Sequence, residues 1–317
     1  MTDIITGAVA LGLVWAIVTI GVWITYRILD FPDLTIEGTI VAGAATSAIL
    51  MTHGVSPLLC LLASFGVGAL CGLITGILHT QLKIPALLAG ILTGIGLYSI
   101  NIRIMGNTSN LSLLGTRTLI DRFANLRGIK AILGLGIFEN VVNKQNLAAI
   151  ILVGVVVVMV IALCTWFLRT SYGCSVRATG SNPDMARAQG INIDAAKIVG
   201  LMLSNALVGL GGSLLTQYQS YSDVQMGIGS IVIGLASLII GEVLFGKSST
   251  LRSLIAVAFG AILYRAIIAL VIQAGMRATD LRLFTAITVA IALFSPTAIQ
   301  QVKLLRGRVK RRGDAGL

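Results

Sequence analysis

Apolar residues fall into nine runs along the chain, near 4–26, 34–52, 57–80, 86–104, 147–169, 194–216, 228–245, 251–272 and 281–298, separated by polar intervals. Each is close to the ~20 residues an α-helix needs to cross the hydrocarbon core of a bilayer. A backbone facing lipid must satisfy its hydrogen bonds within its own segment, so the pattern predicts an all-α, polytopic transmembrane helix bundle of about nine spans, range 8–10. The longest interval outside a span, 105–146, still carries apolar patches such as 131–138. It reads as an outer loop with a short surface helix, and 128–138 is a candidate for a further short or re-entrant piece. No soluble domain is visible, so residues 1–317 are read as a single transmembrane domain.

Composition supports this reading. Of 317 residues, 56% are hydrophobic and only 11% charged, against about a quarter charged in soluble domains. The 36 glycines suit close helix packing in lipid: Gly68, Gly72 and Gly76 make two successive GxxxG steps, and Gly90 with Gly94 adds another. A net charge of +11 would suggest nucleic acid in a soluble chain. Here the charges lie mostly between apolar runs, so they report topology, and no nucleic-acid partner is expected. With the basic tail (Lys303 to Arg312, six cations) in the cytoplasm, Arg27, Lys83, Arg169, Arg177, Arg187, Lys197, Lys247 and Arg252 join it there. Eight cations fall outside, which predicts an outside N-terminus and a tail resting on anionic lipid. No Lys or Arg precedes the first run, so the first segment is expected to remain as a span rather than be cleaved as a signal peptide. The four cysteines have no metal-ligand spacing, and His53 and His79, near span ends, have no companion ligands, so neither a disulfide framework nor a metal is expected.

The stretch Cys174 to Lys197 is strongly polar and sits between two spans. Asn182 is a good N-cap, Pro183 suits the first helical position, Asp184 sits in the first turn where the dipole favours a carboxylate, and Gly190 stops the helix. The resulting helix of roughly two turns is too short to cross lipid and must lie outside the membrane. Arg177-Ala178-x-Gly180-x-Asn182-Pro183-x-x-Ala186-Arg187-x-x-Gly190-Ile191-Asn192, followed by Lys197, closely resembles the cytoplasmic loop of ABC importer permeases of the branched-chain amino acid and ribose type. Within that family the chain looks most like the group assigned to tryptophan or tyrosine uptake.

The resemblance implies a coupling helix at about Asn182 to Gln189 that docks into an ATPase subunit, with Arg177, Asn182, Pro183, Asp184, Arg187 and Gly190 as its ATPase-coupling residues. It also implies a homodimer of permeases, two cytoplasmic ATPase subunits, an extracytoplasmic substrate-binding protein and location in the bacterial cytoplasmic membrane. Pro32-Asp33-Leu34-Thr35-Ile36-Glu37-Gly38 resembles the Asp-Leu-Ser-x-x-Gly segment of the family, where a broken helix lines the translocation path. Irregular backbone is expected there, because Pro32 removes a donor and Gly38 loosens the helix. A carboxylate within a span is costly to expose to lipid, so Glu37 is a pathway or pairing residue unless it sits solvated at the interface. Many relatives have a second glycine where this chain has Lys247.

Arg265, in the middle of a span, needs a counter-charge or a wet cavity, and the credible carboxylates in other spans are Glu242 and Glu37. It is read either as one half of a buried ion pair or as a ligand for a substrate carboxylate. Asn101, Asn205 and Gln217 sit at or within spans, where they suit either a polar path or hydrogen bonding between helices. With Asp33, Thr35, Glu37 and Arg265 they make up the candidate substrate pathway. Arg117, Arg122, Arg127, Lys130 and Lys144 outnumber the acids of the outer loop; they suit either carboxylates of a binding protein or plain solvent.

Gly241-Glu242-Val243-Leu244-Phe245-Gly246-Lys247-Ser248 satisfies the phosphate-loop pattern G-x-x-x-x-G-K-[ST]. No parallel-sheet domain and no Mg²⁺-holding strand accompany it, so nucleotide binding is expected on a separate chain. No catalytic constellation appears, and no cofactor is expected. The function that the resemblance implies is the membrane-spanning permease subunit of an ATP-driven importer for a small polar solute such as an amino acid. The alternatives are a stand-alone ion- or proton-coupled carrier, which would need titratable groups near the midplane of several spans, and a non-transporting scaffold.

Overall fold

A computed structural model describes residues 2–125, 144–246 and 249–275, together with positions 283 and 287. The ninth run (281–298), the segment 128–138, the basic tail, and the outer-loop cations Arg127 and Lys130 lie outside the described residues. In chain order the elements are α1 (Thr2–Trp23), α2 (Thr35–Thr52), α3 (Pro57–Thr80), α4 (Ala86–Ile104), β1 (Asn110–Ser112), α5 (Leu119–Ala124), α6 (Lys144–Arg169), α7 (Ser171–Ser181), α8 (Pro183–Ala188), α9 (Ile193–Gln219), β2 (Tyr221–Asp223), α10 (Ser230–Phe245) and α11 (Thr250–Gln273). Among the described residues seven helices are long and apolar enough to cross a membrane, the first running on through a π-turn at Ile24–Ile28. The seventh run becomes the shorter apolar helix α10.

Helix α9 is the axis of the bundle, packed on α3, α2 and α1. Small residues make this possible. A Cβ on Gly68 would strike the carbonyl of Asn205, and one on Gly72 the carbonyl of Leu201, so the GxxxG steps are the surface on which α3 and α9 meet. Gly43 of α2 and Gly209 of α9 meet backbone to backbone in the same way. The main apolar core joins α1, α2, α6, α9, α10 and α11 around Ile17, Ile20, Ile40, Val208 and Val257. Outward faces carry large exposed apolar side chains, such as Leu58 and Leu62 on α3, Leu88 and Leu92 on α4, and Val158 and Trp166 on α6. Such faces belong in lipid.

The broken backbone falls earlier than the proline and glycine of 32–38 suggest. Irregularity begins with the π-turn at Ile24–Ile28, passes through Asp30 in the left-handed region (φ 51°), and ends at Leu34; from Thr35 onward α2 is regular. Gly38 lies inside that helix, where a Cβ would press on Leu97 of α4. It serves close packing and does not loosen the chain. Asn205, near the middle of α9, bonds Asp33, so the 29–34 connection reaches mid-bundle height instead of resting at a helix end.

Two further features were not visible as patterns. Short strands β1 and β2 pair antiparallel, Leu111 opposite Ser222, and tie the interval after α4 to the end of α9. The polar interval is a helix, a sharp bend and a second helix, because α7 fills Ser171–Ser181 with Thr170 as its N-cap. Gly173 and Gly180 make α7 a poor helix by propensity, yet both are required: a Cβ on the first would strike Phe167 O and on the second Ile28 O.

Candidate functional site

The polar loop between α6 and α9 is built as its residues dictate. The Asn182 side chain accepts from Met185 N at 3.0 Å, Pro183 opens α8, Asp184 lies in its first turn, and Gly190 turns the chain out with φ 77°. Asn182 also terminates α7, with its N–H donating to Ala178 O, so one residue caps two helices. A second asparagine, Asn192, then caps α9 through Ala195 N at 3.0 Å. Of α8 only Ala186 is buried; Pro183, Asp184, Met185 and Arg187 are exposed. Met185, 63% exposed at the head of a polar helix, escaped sequence reading because a lone apolar residue there carries no periodic signal. Arg177 lies behind, on α7, with Nη2 3.2 Å from Cys174 Sγ.

From α7 the contacts lead inward. Val176 of α7, fully buried, packs with Leu29 and Phe31 of the 29–34 connection and with Ala196 and Leu201 of α9. Phe31 meets His79 of α3 edge-on, and Lys197 Nζ lies 3.1 Å from His79 Nε2, whose other ring nitrogen faces Ile84 O at 2.9 Å. The loop is thus joined to the connection that carries Asp33 and Leu34.

Above that connection lies a buried polar network. Asp33 Oδ1 accepts from Thr35 N at 2.9 Å, and its Oδ2 accepts from Asn205 Nδ2 at 2.7 Å. Asn205 Oδ1 accepts from Thr39 Oγ1 at 2.7 Å, while Thr35, Thr75 and Thr93 form a hydroxyl chain across α2, α3 and α4 at 2.7 and 3.0 Å. Charge-assisted bonds of this kind make a buried carboxylate tolerable.

Leu34 stands between two cavities, lining both. One, about 530 Å³, is bounded by α2, α4 and the 224–229 connection, and Glu37 and Asn101 are in its wall. It opens on the flank of the bundle beside the exposed Ile95 and Tyr98. The other, about 160 Å³, lies towards the end of α1, with Asp33, Tyr26 and Leu235 in its wall. Five of the seven candidate pathway residues, Asp33, Thr35, Glu37, Asn101 and Asn205, therefore gather around the foot of α2.

The other two lie elsewhere. Gln217 is fully buried near the opposite end of α9, where it accepts from Leu119 N at 3.1 Å and donates to Pro57 O at 3.3 Å, tying α5 to the bundle. The carboxylates expected to meet Arg265 are engaged differently: Glu242 pairs with Arg27 (Nε to Oε1, 3.1 Å), and Glu37 accepts from Gly229 N at 3.0 Å. The Arg265 guanidinium instead lies over the Trp15 ring, 4.4 Å from its centroid, an attraction to the ring face that needs no carboxylate. The phosphate-loop lookalike is helical from Gly241 to Phe245, and Gly241 packs against Ala256 O, so this part offers no loop to wrap a phosphate. Lys247 and Ser248 lie outside the described residues.

Comparison with known proteins agrees with this architecture. Residues 4–294 match the family described as "Branched-chain amino acid transport system / permease component". The chain is 39% identical over 277 residues to the tyrosine transport system permease protein of Clostridioides difficile (strain R20291), covering 87% of this chain and 86% of that one. An uncharacterized protein of Rickettsia prowazekii (strain Madrid E) is 29% identical over 92% of this chain and 98% of its own. The fructose import permease protein of Rhizobium meliloti is 26% identical over 83% of this chain and 68% of its own. The chain belongs to the branched-chain amino acid transport permease family: it is the non-catalytic, membrane-spanning permease subunit of an ABC importer in the cytoplasmic membrane, working with ATPase and binding-protein partners.

Proposed function

We propose that two copies of this permease, with two ATPase subunits below and one binding protein above, carry an amino acid or similar small solute along the flank that bears the 530 Å³ cavity. The observation that carries this reading is the link from the exposed helix α8 through Asn182, which caps both α8 and α7, to Val176 of α7 packed with Leu29 and Phe31, and along the same connection to Asp33 at the smaller cavity and Leu34 at both. When ATP draws the ATPase pair together, α8 moves as a capped, rigid piece, and the 29–34 connection moves with it. The shift of Leu34 joins or separates the two cavities. Coupling falls to Arg177, Asn182, Pro183, Asp184, Arg187 and Gly190. Glu37 and Asn101 face the solute, while Asp33, Thr35 and Asn205 hold the connection in place. Gln217 and Arg265 act at a distance from the path, as fixtures of its scaffold.

At the far end, the exposed Arg117 and Arg122 border a depression of about 270 Å³ beside the α2–α3 turn, which offers cations to carboxylates of the binding protein. The test is uptake by the reconstituted transporter. Asp184→Ala and Arg187→Ala should lower solute uptake per ATP hydrolysed while leaving membrane insertion intact. Unchanged uptake in both would refute the coupling assignment. The identity of relatives supports an amino acid as cargo, since one of them is named for tyrosine transport.

A further inference from the structure

The wall of the 530 Å³ cavity is apolar over most of its extent, and its size is within the roughly 300–1,000 Å³ of small-molecule sites. Glu37 and Asn101 interrupt that wall on either side of Gly38. Asn101 is 1% exposed, and its Nδ2 donates to Gly38 O at 3.1 Å, which fixes the direction of the amide. Its Oδ1 is buried and has no hydrogen-bond partner among the described residues. A buried acceptor left in this state costs about 1–3 kcal/mol, which a donor arriving from the cavity would relieve. Glu37 gives Oε1 to Gly229 N, and no described residue donates to its second oxygen. Both incomplete groups are acceptors, and among the described residues no Lys or Arg lines the cavity. The complement of such a wall is a cationic head rich in N–H donors, carried on an apolar body.

We propose that this cavity is a solute subsite that receives a primary ammonium group on Glu37 and Asn101, with an apolar or aromatic body against Val41, Ile95 and Tyr98. The proposal rests on the import reading for its place on the path and adds the chemical class of the cargo. The carboxylate of an amino acid finds no cation among the described residues of this wall, so the subsite recognises the amine end.

The test uses the full chain in lipid nanodiscs and two tritiated probes in equilibrium dialysis. Tyramine has an aromatic body and an ammonium group without a carboxylate; hydroxyphenylpropionate has the same body and a carboxylate without an ammonium. Tyramine should bind saturably and at least about tenfold more tightly than hydroxyphenylpropionate, and Asn101→Leu and Glu37→Gln should each weaken it by about tenfold. Equal binding of the two probes, no binding of either, or tyramine binding unchanged in both variants would overturn the proposal. Glu37 also holds the start of α10, so if Glu37→Gln does not fold, the probe comparison on the unaltered chain and the Asn101 variant decide. No ATPase is present in this assay. If Asp184→Ala and Arg187→Ala lower uptake per ATP but tyramine does not bind, the subsite fails and the coupling reading stands; if tyramine binds and both variants transport normally, the subsite stands and the coupling reading fails.

Discussion

Glu37 closes the N-terminus of α10: its Oε1 accepts the Gly229 N–H at 3.0 Å, bridging 192 positions of sequence. Helix α10 is only 16 residues, roughly 24 Å, and starts beside the first turn of α2. Its first N–H groups open within the bundle, where water is scarce and an orphaned donor is costly. Gly229 sits at φ 79° with no side chain to cap the helix itself, so the cap comes from another helix, and a carboxylate at that end is also favoured by the dipole.

Replacing this cap should be measurable in stability. Glu37→Leu is expected to destabilise the purified permease by about 0.5–2 kcal/mol, and Glu37→Gln, which keeps an acceptor, by less. Unfolding in mixed micelles checks both. Equal stability of Glu37→Leu and the unaltered chain would show that α10 does not depend on this bond.

The Asp33–Asn205 pair should behave as one unit. Asn205→Leu leaves Asp33 Oδ2 without its 2.7 Å donor and is expected to cost about 1–3 kcal/mol. Asp33→Leu with Asn205→Leu should cost less than the sum of the single changes, because the second removes a group the first has already orphaned. Additive losses in the same micelle assay would mean the two residues act separately.

Close approach of α3 and α9 predicts a contrast between two glycines. Gly72→Leu should prevent the helices from seating, since even a Cβ would strike Leu201 O, with a penalty of at least about 1–3 kcal/mol. Gly66 has open space around it, and Gly66→Ala should be neutral or slightly stabilising. Size-exclusion profiles and yields of the two variants settle this, and a normal monodisperse profile for Gly72→Leu would be incompatible with the packing described.

The relay from loop to path is testable at a residue that touches neither partner nor cavity. Val176→Ala, opening a gap against Leu29 and Phe31, should leave ATPase association intact and lower uptake per ATP hydrolysed by about twofold or more. Unchanged stoichiometry in proteoliposomes would place the transmission elsewhere.

Much of this was readable from the chain, for reasons that differ by element. The spans stood out because length and apolarity are local properties, and every described long helix begins and ends within three residues of its run. Helix α8 was legible because its signals, Asn182, Pro183, Asp184 and Gly190, all act within one turn of where they stand. Helix α7 was hidden, since Gly173 and Gly180 argue against a helix until one sees the carbonyls pressed against them. Partners across the bundle were also out of reach. Sequence identified Glu242, Glu37 and Arg265 as charges needing company, but which charge meets which depends on helix order and depth. Arg27, exposed at the end of a span, looked like a topology marker, and Trp15 gave no sign of holding a guanidinium.

The central claim is that α8 is the handle by which an ATPase subunit moves the path, and Met185 offers the most direct test because it is exposed and stands on that helix. In a Cys174→Ser background, Met185→Cys alkylated with a benzophenone maleimide should photo-crosslink to the ATPase subunit in membranes, with a yield that changes when ATP is bound. Labelling of Met185→Cys only from the extracytoplasmic side, or no adduct with the ATPase at any nucleotide state, would contradict it.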